Sequence, residues 1–432
     1  MTDRVQGTDP SLKPQVLIIG GGFGGLWATR ALASAPVDIT LIDRTNHHLF
    51  QPLLYQVATA GLSAPDIAAP LRHILRSQRN VTVLMGEVTG IDVSKQLVMI
   101  GNEPLRYDYL IVAAGATHAY FGNDAWQQHA PGLKTLEDAF GIRARMLAAF
   151  EAAERTDDPI ARARHLRFAV IGGGPTGVEL AGTLAEIARH TLPREFRRAD
   201  PRRAEIHLIE AGPRVLASMP ESLSESACRQ LTKLGVQVHT GTPVTVIDAD
   251  GLMLGPNRIE ASTVLWAAGV AASPLGASLP AERDRAGRVK VDPDLSVPGH
   301  PNVFVIGDLA SIQCDGKPVP GVAPAAKQMG RHVAARIRQM LAGKSDRPAF
   351  RYVDFGNLAT IGRLAAVVDL RGVRFAGASA WLFWLFAHLF FLIGFRNRLV
   401  VLINWAISYL TYQRAARVII GTPKPDPIKN PA

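Results

Sequence analysis

Cysteine is nearly missing from this chain: 432 residues contain two, Cys228 and Cys314, far apart and outside any C-x-x-C pair. That scarcity excludes a zinc ribbon, a disulfide framework and a vicinal redox couple, and no metal site is expected. No secretory leader is expected from the start of the sequence either. The opening MTDRVQGTDP is polar and contains acids, and the first apolar run, VLII at 16–19, is too short and too soon broken by glycine to be a signal core. In excess are apolar residues, 47% of the total, and positive charge, 47 Lys and Arg against 37 Asp and Glu for a net +10. The apolar fraction is high for a wholly soluble protein. The charge suits nucleic acid, an anionic membrane or a negatively charged cofactor. A chain of this length accommodates two or three domains with large cores.

The stretch at 16–30, VLIIGGGFGGLWATR, organises the rest. A short β run ends in Gly20-x-Gly22-x-x-Gly25, and a helical pattern follows through Leu26, Ala28, Ala31 and Leu32. In such a βα turn Gly20 permits the tight turn, Gly22 lets backbone N–H groups approach a pyrophosphate, and Gly25 lets helix and strand pack closely. The helix N-terminus adds about half a positive charge and free N–H donors, which attract phosphates. The following strand, 37–42, ends at Asp43, where a carboxylate takes a ribose hydroxyl. Strand, loop, helix and acid in register predict a nucleotide site.

FAVIGGGPTGVE at 168–179 restates the pattern: an apolar strand, then Gly172-x-Gly174-x-x-Gly177, then a helical run through Leu180, Leu184 and Ile187. A second acid-ended strand follows, EIHLIE at Glu205–Glu210. Gly20 precedes Asp43 by 23 positions and Gly172 precedes Glu210 by 38, the difference being an arginine-rich insertion at 190–203. Two such units predict two dinucleotide domains, and two dinucleotides side by side suggest FAD with a nicotinamide cofactor. FAD is assigned to the first, because NVFVIGDLA at 302–310 reads as the return strand of a flavin domain. It places Gly307 and Asp308 at a loop before a helix at 324–341, and in this fold that carboxylate hydrogen-bonds the flavin's ribityl chain. Glu210 at the second site accepts both ribose hydroxyls and repels a 2′-phosphate, which favours NADH over NADPH, with Arg214 nearby as the opposing signal.

On these residues the chain resembles the type II NADH:quinone oxidoreductases, single-subunit and non-pumping flavoproteins. The likeness extends through NHHLFQPLLYQVATAGL at 46–62, which in that family runs past the flavin ring, and YLIVAAGATHAYF at 109–121. It continues in TVLWAAGV at 263–270, GVAPAAKQMG at 321–330 and NLATIGRLAA at 357–366, so it covers nearly the whole chain. The resemblance implies that Gly115 belongs to the FAD site, Gly269 to the NADH site, and Lys327 and Gln328 to a quinone site at a helix start. It implies that Glu179 and Gln328 are the catalytic residues. Glu179 would point at the junction of nicotinamide and flavin, positioning NADH or relaying a proton to the reduced quinone. From the residues alone Glu179 is a helix-dipole carboxylate, worth roughly 0.3–1 kcal/mol. The family often carries Ala-Gln-x-x-x-Gln at the quinone helix. Here Pro324 stands at the first glutamine and only Gln328 remains; proline is tolerated in a first helical turn, where its missing N–H had no partner. His47 and His48 lack carboxylate or cysteine partners and read as structural.

AWLFWLFAHLFFLIGF at 380–395 is apolar except for His388 and is followed by Arg396 and Arg398. A helix of that length spans about 24 Å, against a hydrocarbon core of about 30 Å. The next run, 399–412, carries Asn404, Ser408 and Thr411 in one narrow polar stripe. Trp381, Trp384, Trp405, Tyr409 and Tyr412 suit a membrane interface, and Arg396, Arg398, Arg414 and Arg417 suit lipid headgroups. The favoured reading is a monotopic hairpin lying in one leaflet. One transmembrane span at 376–395 and a homodimer interface through this region are the alternatives.

The expected fold is α/β: two Rossmann-like, glutathione-reductase-like domains plus a C-terminal membrane-associated helical region. The FAD domain takes 1–130 and 270–345, the NADH domain 131–269, and the C-terminal region 346–432. The resemblance implies hydride transfer from NADH to FAD and two electrons onward to a membrane quinone, ubiquinone or menaquinone, without proton pumping. It places the protein on the cytoplasmic face of the cell membrane, with the lipid surface as partner and no nucleic acid. A soluble ferredoxin reductase of the same fold needs no apolar tail. The shortage of cysteine argues against disulfide and sulfide:quinone reductases. The remaining alternative is an NADH-binding redox sensor or scaffold resembling apoptosis-inducing factors.

Overall fold

A computed structural model of the chain describes residues 13–414 and 416–419. The polar start, 1–12, and the end of the C-terminal region, 415 and 420–432, lie outside the described residues, as do the side chains of Phe395 and Arg396. Contacts divide the chain into two units. One takes the residues up to Leu49, Ala69–Thr117 and Val270–Asp354; the other takes Phe50–Ala68, His118–Gly269 and the chain from Phe355 onward. The boundaries therefore differ from those read in the sequence. The 50–68 stretch belongs with the nicotinamide-type unit, and so does the C-terminal region, whose large buried aromatics need a surface to pack on.

The first unit is built on a six-stranded sheet ordered Ser296–Val297, His300–Val305, Tyr109–Val112, Gln15–Ile19, Asp38–Asp43, Val81–Met85. The last five run parallel. Their inner residues Val16, Ile18, Leu41, Ile111 and Val303 are fully buried, which is why the strands read as unbroken apolar runs instead of alternating ones. Helices Phe23–Ala31 and Ala323–Leu341 pack backbone to backbone: a Cβ on Gly330 would stand 2.3 Å from the Gly24 carbonyl oxygen. His300–Val305 is the expected return strand, paired in parallel with Tyr109–Val112.

The second unit has a four-stranded parallel sheet ordered Val236–Thr240, Glu205–Glu210, Arg167–Ile171, Thr263–Trp266. Its loop helix, Pro175–Glu186, runs on into a π-helical turn at Ile187–Thr191. The arginine-rich insertion after it folds back onto helix Leu136–Arg155, where the Glu154 carboxylate accepts the backbone N–H groups of Arg197, Arg198 and Ala199 at 2.7–3.0 Å. A three-stranded antiparallel sheet, Asn357–Gly362, Ala365–Leu370 and Val373–Ala376, lies on the loop helix so closely that a Cβ on Gly182 would meet the Ile361 carbonyl oxygen at 1.7 Å. Two helices, Ala378–Phe391 and Phe395–Thr411, complete the unit.

Those helices correct two expectations. Among the described residues no helix is long and apolar enough to cross a membrane. The candidate span at 376–395 is a helix of 14 residues, about 21 Å, after which the chain turns at Gly394 with φ +91°. Nor do the tryptophans lie at a membrane interface: Trp381, Trp384 and Trp405 are buried in the unit. Two of the arginines assigned to headgroups are paired with acids of the unit, Arg414 with the buried Glu186 at 3.2 Å and Arg417 with Glu195 at 2.6 Å. The tryptophan rings of the hairpin are taken up by packing inside the unit, and aliphatic and phenyl side chains such as Leu382, Phe386 and Leu410 face out.

Candidate functional site: two nucleotide cradles

The two glycine loops fold alike. Gly20 and Gly172 hold φ of +99° and +110°, and each donates its N–H to the neighbouring strand, to the Ile42 and Ile209 carbonyls, at 2.7 Å. A Cβ on Gly25 would stand 1.8 Å from the Gly20 carbonyl oxygen, and one on Gly177 1.8 Å from that of Gly172. Only glycine lets either helix start so close to its strand. Gly22 and Gly174 sit just before their helices in extended backbone, with open space where a Cβ would be. Each is a cradle in which N–H groups and the helix dipole meet an approaching phosphate.

The two acids lock the loops. Asp43 Oδ2 accepts the Gly21 N–H at 2.6 Å, and its Oδ1 accepts from the Thr45 N–H and hydroxyl. Glu210 Oε2 accepts the Gly173 N–H at 2.6 Å, and its Oε1 accepts the Gly212 N–H at 2.7 Å. A carboxylate offers about four lone-pair sites, so each keeps capacity for a ribose hydroxyl. The residues fit a dinucleotide at each loop.

In the first unit, Gly20, Asp43, Gly115 and Gly307 stand at the carboxyl ends of four adjacent parallel strands, where open α/β sheets bind their ligands. Gly115 has φ +66° with open space beside it, and Gly307, at φ +72°, starts the turn that carries Asp308. The Asp308 carboxyl carbon would lie 3.4 Å from a Cβ on Gly321, so a side chain there would crowd it. Pro324 falls in the first turn of Ala323–Leu341. On that helix the Lys327 ammonium lies over the rings of Trp27, at 4.5 Å, and Phe23, at 5.0 Å, and burial pulls its pKa down to about 8. The Gln328 amide is engaged at both ends with the backbone of Val353, at 2.9 Å each way, and staples that segment to the helix. His48 is buried edge-on against Phe23 and donates Nδ1–H to the Gly21 carbonyl at 2.9 Å. Burial lowers its pKa to about 4, so it supports the loop as a neutral ring.

In the second unit Gly172, Glu210 and Gly269 occupy the corresponding strand ends. Phe121 closes on Gly269, with its Cζ 2.5 Å from where a Cβ would be. Arg214 spends its guanidinium on the carbonyls of Met219 and Ala217, both at 2.8 Å, and so loses its weight as a 2′-phosphate signal. Glu179 is buried, at 8% exposure, in the helix that starts at the loop. Burial pushes its carboxyl well above the usual range, and a hydrogen bond from the Thr360 backbone offsets this only in part.

Sequence reasoning passed over a polar cluster in this unit. A cavity of about 30 Å³ is lined by Tyr55, Gln56, Glu186, Thr360, Tyr409 and Arg414, among others. Arg414 bridges Glu186 and the Thr59 carbonyl, and Glu186 also accepts the Arg363 N–H. One signal was available. Glu186 lies seven residues beyond Glu179, two turns along the same helical face.

The chain matches the family model described as pyridine nucleotide-disulphide oxidoreductase over residues 14–330, and that of the NDH2 C-terminal domain over 355–413. The type II NADH:quinone oxidoreductase Ndh of Mycobacterium tuberculosis is 48% identical over 425 residues, covering 95% of this chain and 91% of that protein. Demethylphylloquinone reductase NdbB of Synechocystis is 30% identical, covering 91% of this chain and 96% of that protein. The fold matches the solved structure of NDH2 from Plasmodium falciparum in complex with NADH at a TM-score of 0.86 and 22% identity, covering 95% of this chain and 100% of that one.

Proposed function

The chain belongs to the type II NADH:quinone oxidoreductases, and on that premise we propose how its residues divide the work of carrying electrons from NADH to a quinone without proton pumping. The observation that carries the assignment is the doubled cradle: two loops of the same geometry, each with its own locked acid, at the carboxyl ends of two separate parallel sheets.

The amides of residues 22–25, with Asp43, Gly115, Gly307 and Asp308, would hold FAD. When bound, FAD supplies the two-electron carrier between nicotinamide and quinone. The amides of Gly174, Thr176 and Gly177 hold the NADH pyrophosphate and Glu210 its ribose, while Gly269, against which Phe121 closes, marks the neighbouring strand end. Arg214, turned to its own loop carbonyls, supports a preference for NADH over NADPH. Glu179 positions the nicotinamide and, with its carboxyl raised well above the usual range by burial, is a proton source for the reduced quinone. Lys327 and Gln328 form the quinone-side wall, the glutamine by fixing the backbone at 353 and the lysine by its cationic head.

The C-terminal hairpin carries Leu382, Phe386, Phe390, Leu402, Ile407 and Leu410 on its outer surface, with Leu410 81% exposed. An apolar patch of that extent on a quinone reductase supports a monotopic seat on a lipid surface, where ubiquinone or menaquinone is met; the seat is taken to be on the cytoplasmic face of the cell membrane. A homodimer would use the same patch. Replacing Phe386 and Leu410 together by glutamate tests this reading. Each loses roughly 1.5–3 kcal/mol of apolar burial in lipid, so vesicle binding should fall at least a hundredfold. Turnover with a short-chain, water-soluble quinone should persist, while turnover with a long-chain quinone in vesicles collapses. Co-flotation of the double variant with vesicles at wild-type levels would overturn the lipid seat.

A further inference from the structure

At one turn of the second unit the backbone is strained and an apolar ring stands in water. Phe121 has φ +52°, a left-handed conformation uncommon outside glycine, asparagine and aspartate and an outlier for a bulky side chain. The residue is 70% exposed, so buried area does not offset the strain. The turn is nonetheless fixed from beneath. The Trp266 indole N–H donates to the Ala119 carbonyl at 3.0 Å, the Ala119 N–H to the Gly269 carbonyl at 3.2 Å, and the Asn123 N–H to the Tyr120 carbonyl at 3.0 Å. The Trp266 ring also packs 5.0 Å from Tyr120 and 5.9 Å from Trp126. A strained residue held so firmly by its surroundings points to function.

The tip of the Phe121 ring rests on Gly269: from a Cβ there, its Cζ would lie at 2.5 Å and its two Cε atoms at 3.2 and 3.3 Å. Trp266, 6.1 Å away and tilted by 56°, does not stack on it, so a ring face is left bare. The strand order gives this face its place. Glu210 marks the adenosine ribose and the helix start at 174–177 the pyrophosphate. Thr263–Trp266 is the next strand on the side away from Glu205–Glu210. A dinucleotide with those two parts in place extends its other nucleoside over 267–269. That segment borders the cradle directly, since a Cβ on Gly172 would stand 2.4 Å from the Ala267 carbonyl.

We propose that Phe121 contacts the substrate, its bare face being the platform on which the nicotinamide ring of NADH is seated. The proposal rests on the reading of 174–177 and Glu210 as the NADH cradle. A flat heterocycle suits a phenyl face, and the cationic ring of NAD⁺ suits it as well. Gly269 then serves the ligand through the phenyl ring, because any side chain there would push the ring off its seat.

The test uses flavin-loaded, full-length enzyme on vesicles and two ligands that differ only at the ring, NAD⁺ and ADP-ribose. Both are titrated by calorimetry, alongside the KM for NADH. In Phe121→Leu, which keeps an apolar side chain, the KM for NADH and the Kd for NAD⁺ should rise roughly fivefold, the scale of one lost aromatic pair. The affinity for ADP-ribose, which lacks the nicotinamide, and the KM for quinone should stay at their wild-type values. Phe121→Tyr keeps the ring and should bind NAD⁺ as wild type does. Equal weakening of NAD⁺ and ADP-ribose in Phe121→Leu would overturn the proposal, because the turn would then be shaping the whole cradle. Unchanged NAD⁺ affinity would overturn it too. Wild-type binding of ADP-ribose by Gly177→Ala would instead remove the cradle reading beneath it.

Discussion

Gly177→Ala should abolish reduction by NADH in a protein that stays yellow. The added Cβ would lie 1.8 Å from the Gly172 carbonyl oxygen, and Gly172 cannot retreat, because a Cβ at that residue would itself lie 2.4 Å from the Ala267 backbone. Both obstacles are main chain, so the helix must move away from its strand. It takes with it the amides after Gly174 that form the phosphate cradle, and Glu179 two residues on. NADH affinity should fall at least a hundredfold, roughly 3 kcal/mol. The residues assigned to FAD lie in the other unit and are untouched, so bound flavin should remain and chemical reduction should still bleach it. Bleaching by NADH at the wild-type rate would show that the second loop is not the nicotinamide cradle.

Glu179→Gln should lower quinone turnover about a hundredfold, the lower end of what a positioned proton donor contributes, with FAD retained. Glutamine copies the neutral acid that burial already favours, so packing is kept and only the proton is lost. A stability readout separates this from damage to the fold. The folded carboxyl is raised well above its ordinary value of 4.5, so between that value and the folded one the native state binds more protons than the unfolded state. Wild-type stability is therefore present at acid pH and declines as pH rises through that window. The glutamine variant escapes the decline and should melt higher than wild type at pH 8, the two converging near pH 4.5. Unchanged quinone turnover would remove Glu179 from the mechanism.

The parts legible in the sequence were those written in local spacing. Gly20, Gly22 and Gly25 with Asp43, and Gly172, Gly174 and Gly177 with Glu210, follow from steric rules within one βα unit, and the return strand near 302–310 repeats the same apolar signature. What escaped depends on pairing across the chain. Gln56 and Trp405 are 349 positions apart, and nothing in LLYQVA marks its glutamine as an acceptor for a distant indole. The tryptophans of the hairpin were misplaced for the related reason that an amphipathic ring suits a membrane interface and a polar-lined protein surface equally. Gln328 was readable as a site residue only through resemblance, and its pairing with Val353 belongs to tertiary structure alone.

The central claim, that electrons pass from NADH through this chain to a quinone, is tested most directly by anaerobic stopped-flow absorbance on the flavin-loaded protein. NADH should bleach the flavin rapidly, NADPH slowly, and a following pulse of quinone should restore the colour at a rate that supports turnover. Bleaching that quinone fails to reverse would contradict the account and leave an NADH-binding flavoprotein with another acceptor or a sensing role.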